Sequence, residues 1–247
     1  MASLANQVAI VLGGSGGIGA AAARRLAEAG ARVIVGYRRD AAGAATLVAS
    51  LAGAGHAAHA VTIEDTSTLV ALRDTIKVSH GRVDILVNSA GFTKPVPHAN
   101  LDALDDALID QLFAVNWRGQ FAAIRTFRAL LEAHGDGLVV NVSSIAGING
   151  AGSNIAYGAA KAGIDVMTRS LARALAPKIR VMGVSPGVVA TDFVPGRDAS
   201  ANAKIAPTIP LQRVAEADDV AAAILACATH LTYSTGSTLI VDGGRLL

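Results

Sequence analysis

Cysteine is almost missing from this chain: Cys227 is the only one in 247 residues. That excludes an intramolecular disulfide framework and fits a reducing compartment. Its setting, "AAAILACATH", reads as the apolar face of a helix, so a buried structural thiol is expected. Charge is also sparse. Charged residues make up 16% of the chain, and 21 basic against 19 acidic side chains leave a net charge of +2. No long run of either sign occurs, which argues against nucleic acid or an anionic membrane surface as a partner. The opening "MASLANQVAIVLGG" lacks a basic leader region, and its apolar run is too short to span a bilayer. It reads as a first strand, and a soluble, cytoplasmic protein is expected. The six histidines (His56, His59, His80, His98, His134, His230) are scattered, and no carboxylate or cysteine cluster joins them, so no metal is assigned.

What is present is hydrophobic: 52% of residues, in a length suited to one continuous core. Short β-branched runs alternate with longer Ala/Leu-rich segments of helical period. Strands are expected in "QVAIVLGG", "ARVIVGY", "AAHAVTI", "VDILVNSAG", "GLVVNVSS", "IRVMGVSPG" and "STLIVDGG". Helices are expected in "GIGAAAARRLAEAG", closed by Gly30, and in "AAGAATLVASLAGAG" and "STLVALRDTIKVSHG". A long helical region is expected over about 102–134, then a helix carrying Tyr157, and a small one near "EADDVAAAILACATH". Strands apolar on both faces that alternate with helices predict an α/β fold, a doubly wound parallel sheet covered on both sides. No linker divides residues 1–247, so a single domain is expected. The segment 188–211 has no clear period and is long for a connection, as substrate lids are.

Directly after the first strand comes "GGSGGIG". Gly13, Gly17 and Gly19, with Ser15 and Ile18 between them, form a turn that lets backbone approach a pyrophosphate at a helix N-terminus. A tight β–α turn also wants glycine, so the turn gains weight only from its place after the first strand. No Gly-Lys-Ser/Thr ending follows, which disfavours a nucleotide triphosphatase. The second strand ends in "GYRRD". An acidic residue there suits the ribose hydroxyls of NAD, and an arginine suits a 2′-phosphate. Tyr37, Arg38 and Arg39 occupy the strand end and Asp40 falls too late, which favours NADP(H), with NAD(H) as the alternative. Further along, "NIAYGAAKAG" sets Tyr157 four residues before Lys161, on one face of a helix. The spacing alone fits either an amphipathic accident or an acid beside the charge that tunes it.

Taken together these stretches resemble the short-chain dehydrogenase/reductase family, nearly from end to end. The marks are "GGSGGIG", "NSAG" (88–91), "VNWRG" (115–119), "NVSS" (141–144), Tyr157-x-x-x-Lys161, "SPGVVATD" (185–192) and the closing "STGSTLIVDGG". The ketoacyl-thioester reductase-like members are most similar. The resemblance implies a sheet of about seven strands, a nicotinamide cofactor and commonly a homotetramer. It makes Tyr157 the catalytic acid/base, Lys161 its partner, Ser144 rather than Ser143 the catalytic serine, and Asn116 the anchor of a water in a proton relay. Gly13, Gly17, Ile18, Asn88, Ala90, Gly91, Lys161 and Thr191 match cofactor-contacting positions. Ser15, Gly19, Tyr37, Arg38, Arg39, Tyr157, Pro186, Gly187 and Val189 complete the candidate set.

A free phenol has a pKa of about 10. A nearby ammonium, together with a cationic nicotinamide ring, is expected to lower that of Tyr157. Departures from the family pattern fall outside the four catalytic positions. Leu12 replaces a threonine before the first glycine, which predicts a less firmly tied turn. Ser89 replaces an asparagine, Thr62 stands in place of an adenine-binding aspartate, and Gly16 in place of a basic residue. Glu64 or Asp65 compensates for Thr62 only if the strand end shifts.

The expected function is an NADP(H)-dependent carbonyl reductase or alcohol dehydrogenase acting on a small molecule, a 3-oxoacyl-thioester reductase being one form. The alternatives are an NAD-dependent sugar or polyol dehydrogenase and a cofactor sensor without turnover, which would lose the tyrosine or the lysine. Phe92, Phe193, Val194, Ile205 and Ile209 suggest an apolar pocket, or else pack the lid on its own domain. The mixed charges of Glu132, Asp136, Lys178 and Arg180 give a carrier-protein partner little support. Apolar Ala-rich helices at 102–133 and 158–176 agree with an oligomer.

Overall fold

The β-branched runs become parallel strands because helices on both faces take up their side chains. A computed structural model describes residues 3–247. Its sheet has seven strands in the order β3-β2-β1-β4-β5-β6-β7, every neighbouring pair parallel. The strands are β1 (Val8–Leu12), β2 (Arg32–Tyr37), β3 (Ala57–Ala60), β4 (Ile85–Asn88), β5 (Gly137–Val142), β6 (Ile179–Pro186) and β7 (Thr238–Val241). β1, β4 and β5 are buried along their whole length, whereas the edge strands β3 and β7 are only half-buried.

Alternation along β1 divides the core in two. Ala9 and Val11 pack with Ala22, Ala23 and Leu26 of α1 (Gly17–Glu28), and with residues from α2 (Ala41–Ser50). Val8, Ile10 and Leu12 pack on the other face, against residues of α3 (Thr66–Ser79) and beyond. The expected long helical region is continuous from 106 to 132, as α4 (Asp106–Phe113), a π-helical turn over Ala114–Arg118, and α5 (Gly119–Glu132). A short α6 (Ala146–Asn149) precedes the 21-residue α7 (Ile155–Leu175), which carries Tyr157 and Lys161.

The segment 188–211 is more ordered than its missing periodicity predicts. It holds α8 (Ala199–Ile205), capped by the Asp198 carboxylate on the amide of Ala201, and a 3₁₀ turn over Ala206–Thr208. A seven-residue helix is too short to impose a period on its sequence. The expected small C-terminal helix is the 13-residue α9 (Ala217–Thr229). It packs on α1 and buries Cys227, whose thiol is pushed up to about 11 by desolvation.

Order in the sheet sets the place for chemistry. From β1 the chain winds outward through β2 and β3, then returns to β4 on the other side of β1. The connections at the C-terminal ends of β1 and β4 therefore part in opposite directions and leave a crevice. Asp40 stands at its rim with its carboxylate turned to the amide of Gly43, 2.8 Å away, as the N-cap of α2. Asp40→Ala should therefore cost about 1 kcal/mol of stability, visible as a shift of about 2–4 °C in the melting temperature. The affinity for NADH should stay the same, because the carboxylate serves the helix.

Candidate active site

The turn after β1 is shaped for a close ligand. Gly13 and Gly17 have φ of +76° and +49°, and a Cβ on Gly13 would lie 2.7 Å from the Ala90 backbone. Gly19 does its work from beneath, since a side chain there would overlap the Gly13 carbonyl. Gly16 meets open space. No side chain caps α1 and no acidic residue stands in its first turn, so its leading amides are left for an anion. Leu12 does not loosen the turn. It is buried, and the amides of Gly13 and Gly14 both donate to the Gly36 carbonyl at 3.0 Å.

The crevice is a cleft of about 1410 Å³ that runs from the end of β2 to the lid. Ser15, Gly17 and Ile18 line it beside Gly13; Tyr37, Arg38 and Arg39 line the β2 end; Ala90 and Gly91 follow β4. Pro186, Gly187, Val189 and Thr191 follow β6, and Ser144, Tyr157 and Lys161 complete the wall. Two expected cofactor contacts are set back from it. Gly19 underlies the turn, and fully buried Asn88 donates from Nδ2 to Asn141 Oδ1 at 2.9 Å. Asn141 in turn donates to Thr168 Oγ1 at 3.0 Å, tying β4, β5 and α7 together under the site.

At the β2 end Arg38 pairs with Glu64 at 2.9 Å, both in the cleft wall. The Thr62 backbone is tied to the next helix, its amide donating to the Thr68 hydroxyl and its carbonyl accepting from it. Glu64, in the loop after β3, lines the cleft, and Thr62 does not.

At the other end α7 brings Tyr157 and Lys161 to the same wall. Asn154 starts the helix, its Oδ1 accepting from the Tyr157 amide at 2.7 Å. Lys161 Nζ donates to the Val142 carbonyl at 2.8 Å and lies 5.6 Å from the centroid of the Tyr157 ring. Both groups are buried. Desolvation pushes the Tyr157 phenol up to about 12, against a hydrogen bond with Ser144 and the charge of Arg197, which favour the phenolate. In the protein alone, burial penalises the anion more than Ser144 and Arg197 favour it. Burial likewise lowers Lys161 to about 8, with the Asp165 carboxylate opposing.

Asn116 is fully buried in the π-helical turn and does not line the cleft. Its Nδ2 donates to the carbonyls of Phe92 and Leu112, at 2.8 and 2.9 Å, and its Oδ1 accepts from the Phe92 amide. The side chain thus holds the loop after β4. Of the apolar residues expected in the pocket, Phe193 and Val194 line it, with the Phe193 ring 5.9 Å from that of Tyr157. Phe92 packs in the core instead, and Ile209 is buried at the base of the lid. Sequence reasoning missed Arg197, Arg245 and His98 in the cleft wall. None lies in a periodic element or a motif, so only the path of the chain brings them there. Among the described residues no cluster of His, Cys, Asp or Glu is arranged to hold a metal, and no helix is long and apolar enough to cross a membrane.

A profile described as enoyl-(acyl carrier protein) reductase matches residues 13–245. The chain belongs to the short-chain dehydrogenase/reductase family. It is 34% identical over its whole length to the whole of a 3-oxoacyl-[acyl-carrier-protein] reductase from Synechocystis. It is 38% identical to cis-4-hydroxycyclohexanecarboxylate dehydrogenase from Sinomonas cyclohexanicum, over 98% of this chain and 97% of that one. The structure of a dehydrogenase/reductase from Sinorhizobium meliloti superposes with a TM-score of 0.88 at 33% identity, covering 99% of this chain and 97% of the other. As a family member the chain is an oxidoreductase acting on CH–OH groups with a nicotinamide cofactor. The glycine cradle and the uncapped helix terminus fit the cofactor's pyrophosphate.

Proposed function

We propose that this short-chain dehydrogenase/reductase interconverts a carbonyl and a secondary alcohol with NADP(H), using Tyr157 as the acid/base. The observation that carries the reading is the meeting of Ser144, Tyr157 and Lys161 in one cleft with the glycine turn. A bound nicotinamide supplies or accepts the hydride. In reduction the Tyr157 phenol, protonated at neutral pH, gives its proton to the substrate oxygen. The Ser144 hydroxyl donates to that same oxygen as charge grows on it. Lys161, held by the Val142 carbonyl, keeps a positive charge beside the phenol and favours the phenolate left behind. Asn116 acts by positioning the loop after β4. A substrate of the 3-oxoacyl-thioester kind agrees with the Synechocystis relative, and a hydroxy acid with the Sinomonas relative.

Preference for NADP(H) is supported by Arg38 and Arg39 in the cleft wall and by the engagement of Asp40 in capping α2. Dissociation constants for NADPH and NADH, measured side by side by nicotinamide fluorescence, test it. NADPH should bind roughly tenfold tighter or more, about 1.4 kcal/mol, and Arg38→Ala should remove most of that difference. The second reading, NAD(H), is favoured by one observation: Glu64 lies in the same wall and pairs with Arg38. Tighter binding of NADH would assign Glu64 to the ribose and shift the reading to an oxidative dehydrogenase. We further propose a cytoplasmic homotetramer, supported by the family membership; a monomer mass in light scattering would overturn the assembly.

A further inference from the structure

We propose that Arg197 recognises a carboxylate on the substrate, so that the enzyme works on oxo acids and hydroxy acids in preference to neutral ketones and alcohols. This rests on the carbonyl–alcohol reading and names its substrate class. Arg197 belongs to the lid, directly after Gly196, whose φ is +80°, and before α8. Its side chain turns back into the cleft wall shared with Tyr157 and Phe193. Nη2 donates to the Val189 carbonyl at 2.6 Å, while Nε is buried with no acceptor. Nη1 meets no protein acceptor, so its protons and the second on Nη2 remain, and a carboxylate takes one from each in a bidentate fork.

No carboxylate among the described residues lies within ion-pair distance of this guanidinium. Asp198, next in the chain, is committed to the amide of Ala201. Asp192 lines the cleft without reaching Arg197, and Asp40 and Glu64 belong to the far end, beside Arg38. A half-buried cation without a counter-ion is costly, and an anion supplied by the ligand relieves the cost. The neighbouring walls, Ile145, Ala146, Phe193 and Val194, are apolar and strengthen such a pair. The cofactor's phosphates are not that anion. Their cradle is the turn at Gly13–Ile18, whereas Arg197 is near enough to Tyr157 for its charge to act on the phenol. Arg245, also in the cleft wall and bonded to the Thr208 hydroxyl at 2.8 Å, adds a second positive charge on the lid side.

The test uses 4-oxopentanoate, 5-oxohexanoate and 6-oxoheptanoate, each beside its methyl ester, which keeps the carbonyl and removes the charge. Turnover is followed with the intact protein and NADPH. Binding is followed by calorimetry on cofactor-loaded Tyr157→Phe protein, which separates recognition from chemistry. The acid should exceed its ester roughly tenfold or more, in kcat/KM and in affinity, for at least one chain length. Arg197→Met should bring the two within about threefold of each other, and Arg197→Lys should restore part of the preference. Equal treatment of acid and ester at every length, including binding of neither, overturns the proposal. So does an equal loss for both in Arg197→Met, which would make Arg197 a structural tie to Val189. Binding that discriminates, without turnover of any probe, would keep Arg197 and overturn the carbonyl–alcohol reading. Turnover without discrimination would do the reverse.

Discussion

Tyr157→Phe is expected to lower turnover by about 10²–10⁴-fold, the usual worth of a positioned general acid, while cofactor affinity stays the same. The ring keeps its packing against Phe193 and its place over Lys161, and only the proton is removed. The pH dependence has a definite sign. Tyr157 in the protein alone is pushed up to about 12, so the phenol is protonated at neutral pH and is ready to donate in reduction. Oxidation needs the phenolate, so kcat/KM for the alcohol should climb through the alkaline range, while reduction is level near neutrality and falls as the phenol ionises. Lys161→Met removes the positive charge that Lys161 carries below about 8, so its loss of alcohol oxidation should be greatest below that pH and shrink above it. Stopped-flow measurement from pH 6 to about 10 checks the climb in oxidation and the level rate of reduction. A Tyr157→Phe protein that keeps its turnover would remove Tyr157 from the chemistry altogether.

Gly13→Ala should be among the most damaging single methyls in the cofactor half. At φ +76° an L side chain costs about 1–2 kcal/mol, and the new Cβ would lie 2.7 Å from the Ala90 backbone, where overpacking costs about 1–3 kcal/mol more. The sum, about 2–5 kcal/mol, should lower the melting temperature by roughly 5–15 °C. Cofactor affinity should fall about tenfold or more, since Gly13 and Ala90 together wall the cleft. Gly16→Ala is the control: its Cβ meets nothing within 4 Å, so stability should change by less than about 0.5 kcal/mol. Thermal melts and fluorescence titrations of the two variants separate a turn shaped by close contact from one that is merely glycine-rich. Equal melting temperatures would mean that the β1–α1 turn relaxes around the added methyl.

Much of this was legible in one dimension because strand and helix periods are local. β1 alternates Ala9 and Val11 with Val8, Ile10 and Leu12, and those two sets enter the two core layers. The glycine turn and the Tyr157–Lys161 pair are also local, each lying within one turn or one helix. The π-helical turn at Ala114–Arg118 was not legible, because apolar spacing continues through it. There the Asn116 side chain bonds back to Leu112 and across to Phe92, a loop distant in sequence. The burial of Tyr157 was not legible for a related reason. Four-residue spacing reveals a lysine nearby, yet the depth at which both groups lie depends on the lid and on Phe193.

By itself, then, the order of residues determined a doubly wound parallel sheet, the phosphate-binding turn and the pairing of Tyr157 with Lys161. Each depends on neighbours within a few positions or on a repeated period. Only the tertiary structure decided that Asp40 serves α2, that Glu64 faces Arg38, and that Arg197 enters the cleft from the lid. Those outcomes turn on which distant charge is within reach and how much water is excluded. Distance and dielectric are properties of the folded chain, and no local spacing carries them.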